Sequence, residues 1–183
     1  IMTSWSLSVA LVLLCSSTLC SLGCDLTQGL QEDFSLLNQM STFFLLPCLK
    51  DRTNFNFPKE AVEVNQLQRE NATAIVYEML QQIFTIFSLN TTPATWSQTQ
   101  LKQLLIGLDQ QLDQLEQCLG QDVEREEPSL GSENPSLVLK SYFQGINQYL
   151  QDKEYSRCAW EIVRIEIRKM FLFMNKFTRN LRN

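Results

Sequence analysis

The thiols are the residues whose type and spacing point most directly to a chemistry. Cysteines stand at Cys15, Cys20, Cys24, Cys48, Cys118 and Cys158, and the chain contains no histidine. Without histidine there is no Ser-His-Asp or Cys-His route to an activated nucleophile and no histidine zinc site. The last four cysteines lie at least two dozen residues apart, so no pair has the close spacing of a zinc knuckle. The six glycines are scattered singly, which leaves no Gly-rich phosphate loop. The adjacent carboxylates Glu126 and Glu127 fall in a polar stretch that reads as loop, so solvated charge explains them better than an acid–base dyad. No catalytic centre, metal or cofactor is expected. The chemistry left is oxidation of thiols to disulfides.

That chemistry needs an oxidising compartment, and the start of the chain supplies the route to one. Residues 1–23 carry no charged side chain, and 7–14 form an apolar run too short to span a bilayer. Ser21 and Gly23 are small residues at the two positions a signal peptidase reads before Cys24. The expectation is a secretory signal peptide over 1–23, with Met2 as the start, and a single domain over 24–183. Cleavage removes Cys15 and Cys20, and the four cysteines left imply two disulfides. Four cysteines allow three pairings, and spacing does not choose among them. The formal net charge of −5 argues against nonspecific nucleic-acid binding, and no later stretch is apolar enough for membrane insertion.

The elements that would position these groups are helical. Residues 31–46 carry Phe34, Leu37 and Phe44 on one face, and Pro47 would end that helix. Residues 47–70 show no periodicity and read as a long crossover loop. A second helix, 72–87, shows Ile75, Met79, Ile83 and Ile86. The acceptor sites Asn71-Ala72-Thr73 and Asn90-Thr91-Thr92 flank it, so both ends would face solvent if glycosylated. A third, 97–119, has Leu101, Leu105, Leu108, Leu112, Leu115 and Leu119 in a heptad seam suited to shallow internal packing. Residues 120–135 read as a second loop. A fourth helix opens at the cap Asn134-Pro135 and buries Leu139, Tyr142, Phe143 and Ile146. A short link, 151–155, makes the last helix its antiparallel neighbour.

The last helix carries a core stripe of Trp160, Val163, Ile167, Met170, Phe171 and Met174, with Ser156 as its cap. Opposite the stripe stand Ile165 and Leu172 among Arg168, Lys169 and Lys176. Two readings remain open. Either that face packs on another helix, or it is a partner-binding patch with an apolar centre and a basic rim.

The stretch Cys-Ala-Trp-Glu-Ile-Val-Arg-Ile-Glu-Ile at 158–167 resembles the last-helix signature of the type I interferons. Cys48-Leu49-Lys50-Asp51-Arg52 with Phe55 and Phe57-Pro58 resembles their first long loop. Residues 78–84 and 110–116 resemble their second and third helices, and the likeness runs over 24–183. It implies an all-α, five-helix bundle of the helical cytokine type, with a long first loop and the bridges Cys24–Cys118 and Cys48–Cys158. It implies a secreted, extracellular, monomeric antiviral cytokine that bridges two receptor ectodomains and triggers Janus-kinase-linked signalling. The tighter receptor chain would be held by Leu49, Arg52, Arg164, Ile165, Arg168 and Lys169, and the weaker one by Thr85 and Lys140. Arg168 departs from the human alpha pattern, in which methionine is common there. Leu105 and Asp109 replace tyrosines that often contact the weaker chain, and Lys140-Ser141 replaces an Arg-Lys pair. The alternative is a secreted helical carrier of lipid or another small molecule, which would show a large internal cavity. Eleven phenylalanines suit either.

Overall fold

The computed structural model describes residues 25–40, 46–64, 69–122 and 134–180. The expected signal peptide, Cys24 and the acidic loop residues Glu126 and Glu127 lie outside them. Among the described residues the α-helices are α1 (Thr27–Gln39), α2 (Lys59–Val64), α3 (Arg69–Phe87), α4 (Gln98–Asp122), α5 (Pro135–Asp152) and α6 (Arg157–Asn180). A 3-10 helix spans Leu46–Asp51. α4 lies along both α3 and α1, α1 packs on α6, and α5 sits against α3. The five long helices close on one contiguous apolar core.

The two C-terminal helices begin where their capping chemistry requires. Asn134 Oδ1 accepts from Ser136 N–H at 3.1 Å, with Pro135 in the first turn. Ser156 Oγ accepts from Ala159 N–H at 3.2 Å and opens α6. All six residues of the expected α6 stripe are buried.

The N-terminal half departs from expectation in three places. α1 starts at Thr27, because Asp25 Oδ1 accepts from both the N–H and the hydroxyl of Thr27. It ends at Gln39, and Pro47 sits inside the 3-10 helix instead of ending a helix that runs to 46. The stretch read as loop contains α2, which is six residues long and buries Val62. So short an element leaves no repeat to detect.

On α4 the buried stripe is Leu101, Leu104, Leu108, Gln111 and Leu115, with Leu105, Leu112 and Leu119 only half-buried. The stripe is rotated from the leucine seam because a polar residue takes a core position. The Gln111 amide donates to Asp33 Oδ2 on α1, and both side chains are buried. Gly107, one turn away, makes room for that carboxylate: a Cβ there would stand 2.5 Å from Asp33 Oδ1.

Of the two expected bridges, Cys48–Cys158 is present, with Cα atoms 5.0 Å apart across 110 residues of sequence. Cys118 is also disulfide-bonded. The Cys24 end of the other expected bridge lies outside the described residues.

Candidate functional site

The first loop is fixed to the last two helices from several directions. The Cys48–Cys158 bridge ties the 3-10 helix to the first turn of α6. Tyr149 on α5 donates its hydroxyl to the Asp51 carbonyl at 2.6 Å, and Lys153 Nζ stands 3.1 Å from Asp51 Oδ1. Burial, with the Asp51 charge adding to it, pushes the Tyr149 phenol up to about 12, so it remains a donor at physiological pH. Phe55 meets Tyr149 edge to face, and Phe57 does the same with Tyr142 and Phe173. Asn56 adopts a left-handed backbone, φ 54°, and its N–H donates to Asn54 Oδ1.

On this anchored loop Leu49 and Arg52 face solvent; Leu49 is 52% exposed. On the adjoining α6, Leu172 is 50% exposed, Ile165 and Arg168 are half-exposed, and Lys169 and Lys176 are exposed. Among the described residues Leu172 is open to solvent and is not packed under another helix. The Arg168 guanidinium carbon lies 5.9 Å from the centre of the Phe34 ring on α1, within cation–π range. Lys169 Nζ is 3.3 Å from Glu166 Oε2. The other oxygen of Glu166 accepts from the Tyr142 hydroxyl, and burial, reinforced by Glu166, keeps that phenol protonated far above its usual range.

Arg164 is different. It is 4% exposed, and its hydrogen bonds point inward. Its Nε and Nη2 donate to Glu161 Oε2, and Nη1 donates to the Leu37 carbonyl at 2.7 Å. Glu161 in turn accepts from Trp96 Nε1 at 2.8 Å. The structure therefore separates Arg164 from the exposed group. Helical phase alone puts it at the patch edge, and its bonds to Glu161 on its own helix and to the Leu37 carbonyl on α1 draw it inside.

Thr85 is exposed on α3, with its hydroxyl donating to the Gln81 carbonyl. Lys140 is exposed on α5, which packs against α3. Leu105 is half-buried and Asp109 exposed on α4. Asn90 is exposed in the turn after α3, and Asn71 lies in the first turn of that helix. Sequence reasoning missed Phe34 as a member of the patch, because its spacing marks only an apolar face of α1. It also missed Trp96 and Glu161, whose pairing spans 65 residues.

A sequence model of the interferon alpha/beta domain matches residues 22–181. That match covers the loop, the patch and nearly the whole bundle. The chain belongs to the type I interferon family.

Interferon tau of Cervus elaphus is 45% identical over 181 residues, covering 97% of this chain and 93% of that protein. Interferon omega-1 of Bos taurus is 48% identical, with 88% of this chain and 85% of that one covered. Interferon alpha-21 of Homo sapiens is 43% identical, with 98% and 97% covered. Among solved structures, zebrafish interferon 2 superposes with a TM-score of 0.70 at 23% identity, covering 82% of this chain and 96% of its own. This type I interferon is an antiviral cytokine and not an enzyme. A cavity of about 470 Å3 beside α5, lined by residues such as Pro58 and Leu137, opens at the surface. No helix among the described residues is long and apolar enough to cross a membrane.

Proposed function

We propose that the chain is secreted after loss of residues 1–23 and acts as a monomer that bridges two different type I interferon receptor ectodomains. Bringing the two receptor chains together activates their attached Janus kinases and then antiviral transcription. The ligand supplies affinity and geometry and does no bond chemistry. The tighter receptor chain binds Leu49 and Arg52 on the loop and Ile165, Arg168 and Lys169 on α6. Thr85 and Lys140, on the neighbouring α3 and α5, contact the weaker chain. Asn71 and Asn90 carry glycans at the two ends of α3. One observation carries the reading: Leu49 and Leu172 are half-exposed on two elements joined by a disulfide, among basic side chains. An apolar centre with a polar rim is how an interface is built, and arginines flanked by apolar contacts dominate such interfaces.

Surface-binding kinetics against the tighter ectodomain test it. Arg52→Ala should weaken binding about thirtyfold, mostly through faster dissociation. Arg52→Lys should recover part of this, because an ammonium lacks the planar fork. Arg52→Ala and Ile165→Asp both binding like the parent, with the fold intact by circular dichroism, would remove the site.

A further inference from the structure

α1 and α6 meet in a two-rung ladder. On one rung the Arg164 guanidinium donates to the Leu37 carbonyl. On the next, four residues on along α6 and three back along α1, the Arg168 guanidinium lies over the Phe34 ring. The two helices therefore run antiparallel here, and the first rung sets the register of the second. Leu37 lies two residues from the end of α1, among the carbonyls that a helix end leaves without an intrahelical partner. Arg164 supplies that partner. Its own charge is held by Glu161, which is 1% exposed and also bonded to Trp96. A guanidinium 4% exposed with its donors turned inward has no surface to offer a partner protein.

We infer that Arg164 is a positioning residue: it clamps α1 to α6 so that Phe34 lies beneath Arg168, and Arg168 is the cation presented to the receptor chain. The inference rests on the proposed receptor-binding face and gives Arg164, which lies beneath that face, a part in shaping it. An arginine held against a ring has less rotational freedom to lose when it binds, so its hydrogen bonds to an acidic partner form at lower entropic cost. Without the clamp, Phe34 shifts and Arg168 returns to a free surface side chain.

A double-mutant cycle tests this. The parent, Arg164→Met, Arg168→Ala and the double variant are titrated against the tighter receptor ectodomain, at a temperature where circular dichroism shows all four folded. If Arg164 acts through Arg168, each single change weakens binding roughly tenfold and the double variant is little weaker than either. General loosening of the fold would weaken binding whatever residue stands at 168, so it predicts losses that multiply to roughly a hundredfold. Multiplying losses, or Arg164→Met binding like the parent, would overturn the inference and leave the patch standing. Arg168→Ala binding like the parent would remove the inference together with Arg168's place in the patch. Arg164→Lys replaces Arg164→Met if the latter does not fold; an ammonium reaches Glu161 or the Leu37 carbonyl but cannot span both as the fork does. The Nε–H resonance of Arg164 gives a second readout on the unmodified protein. It should stay protected and unshifted when the ectodomain is added, while that of Arg168 moves. A large shift at Arg164 with none at Arg168 would make Arg164 the contact and overturn the inference.

Discussion

Asp33 should make this bundle more stable in mild acid than its carboxylate content alone would suggest. The side chain is 2% exposed between α1 and α4, and burial pushes its carboxyl from 3.8 up to about 7; the Gln111 hydrogen bond opposes that rise and Glu32 adds to it. The folded state therefore holds a proton that the unfolded chain releases near its ordinary value. A raised folded value means the contribution is complete below about pH 4 and is lost as pH rises through about 7. At about 1.4 kcal/mol per pH unit, the interval is worth at most about 4 kcal/mol. Asp33→Asn keeps the shape, cannot ionise, and can still meet the Gln111 amide. Denaturant unfolding of parent and variant at pH 4, 5.5, 7 and 8 isolates the effect, because every other carboxylate cancels in the difference. The variant's advantage should grow by about 1 kcal/mol per pH unit between about 4 and 7 and then level off. A difference that does not change with pH would refute the reasoning.

Gly107→Ala should destabilise by about 1–3 kcal/mol in the parent, since its Cβ would meet Asp33 Oδ1 at 2.5 Å. In an Asp33→Ala background the same change should be neutral or mildly stabilising, because alanine favours the helix; thermal unfolding of the four proteins decides. Replacing Cys48 and Cys158 together by serine should cost about 2–5 kcal/mol in denaturant unfolding. It should also weaken tighter-chain binding, since the loop carrying Leu49 and Arg52 loses its covalent tie to α6. Edman sequencing of the secreted protein should begin at Cys24, and non-reducing peptide mapping should link Cys24 to Cys118.

The C-terminal half was legible because its signals are local. Asn134-Pro135 and Ser156 mark helix starts within three residues of the groups they cap, and the α6 stripe repeats over four turns. The rest depends on partners far apart in sequence. Gln111 belongs to the core only because Asp33 faces it across 78 residues, so the leucine seam alone assigned α4 a rotated face. Arg164 has the same charge and nearly the same helical phase as its exposed neighbours. What draws it inside is the Leu37 carbonyl, 127 residues away. α2 and the 3-10 helix are too short to carry a period. Within the candidate site, the basic-apolar face was visible from helical phase, whereas the Phe34 shelf beneath Arg168 needed the packing of α1.

The proposed mode of action is the joining of two receptor chains. The most direct measurement loads the mature protein onto an immobilised tighter-chain ectodomain and then passes the weaker-chain ectodomain over it. The second ectodomain should bind only when the ligand is already present. Arg52→Ala should make the loaded layer thinner and faster to dissociate, whereas Lys140→Ala should leave the layer and weaken the second step. A second ectodomain that never binds the loaded surface, or binds equally without ligand, would contradict it.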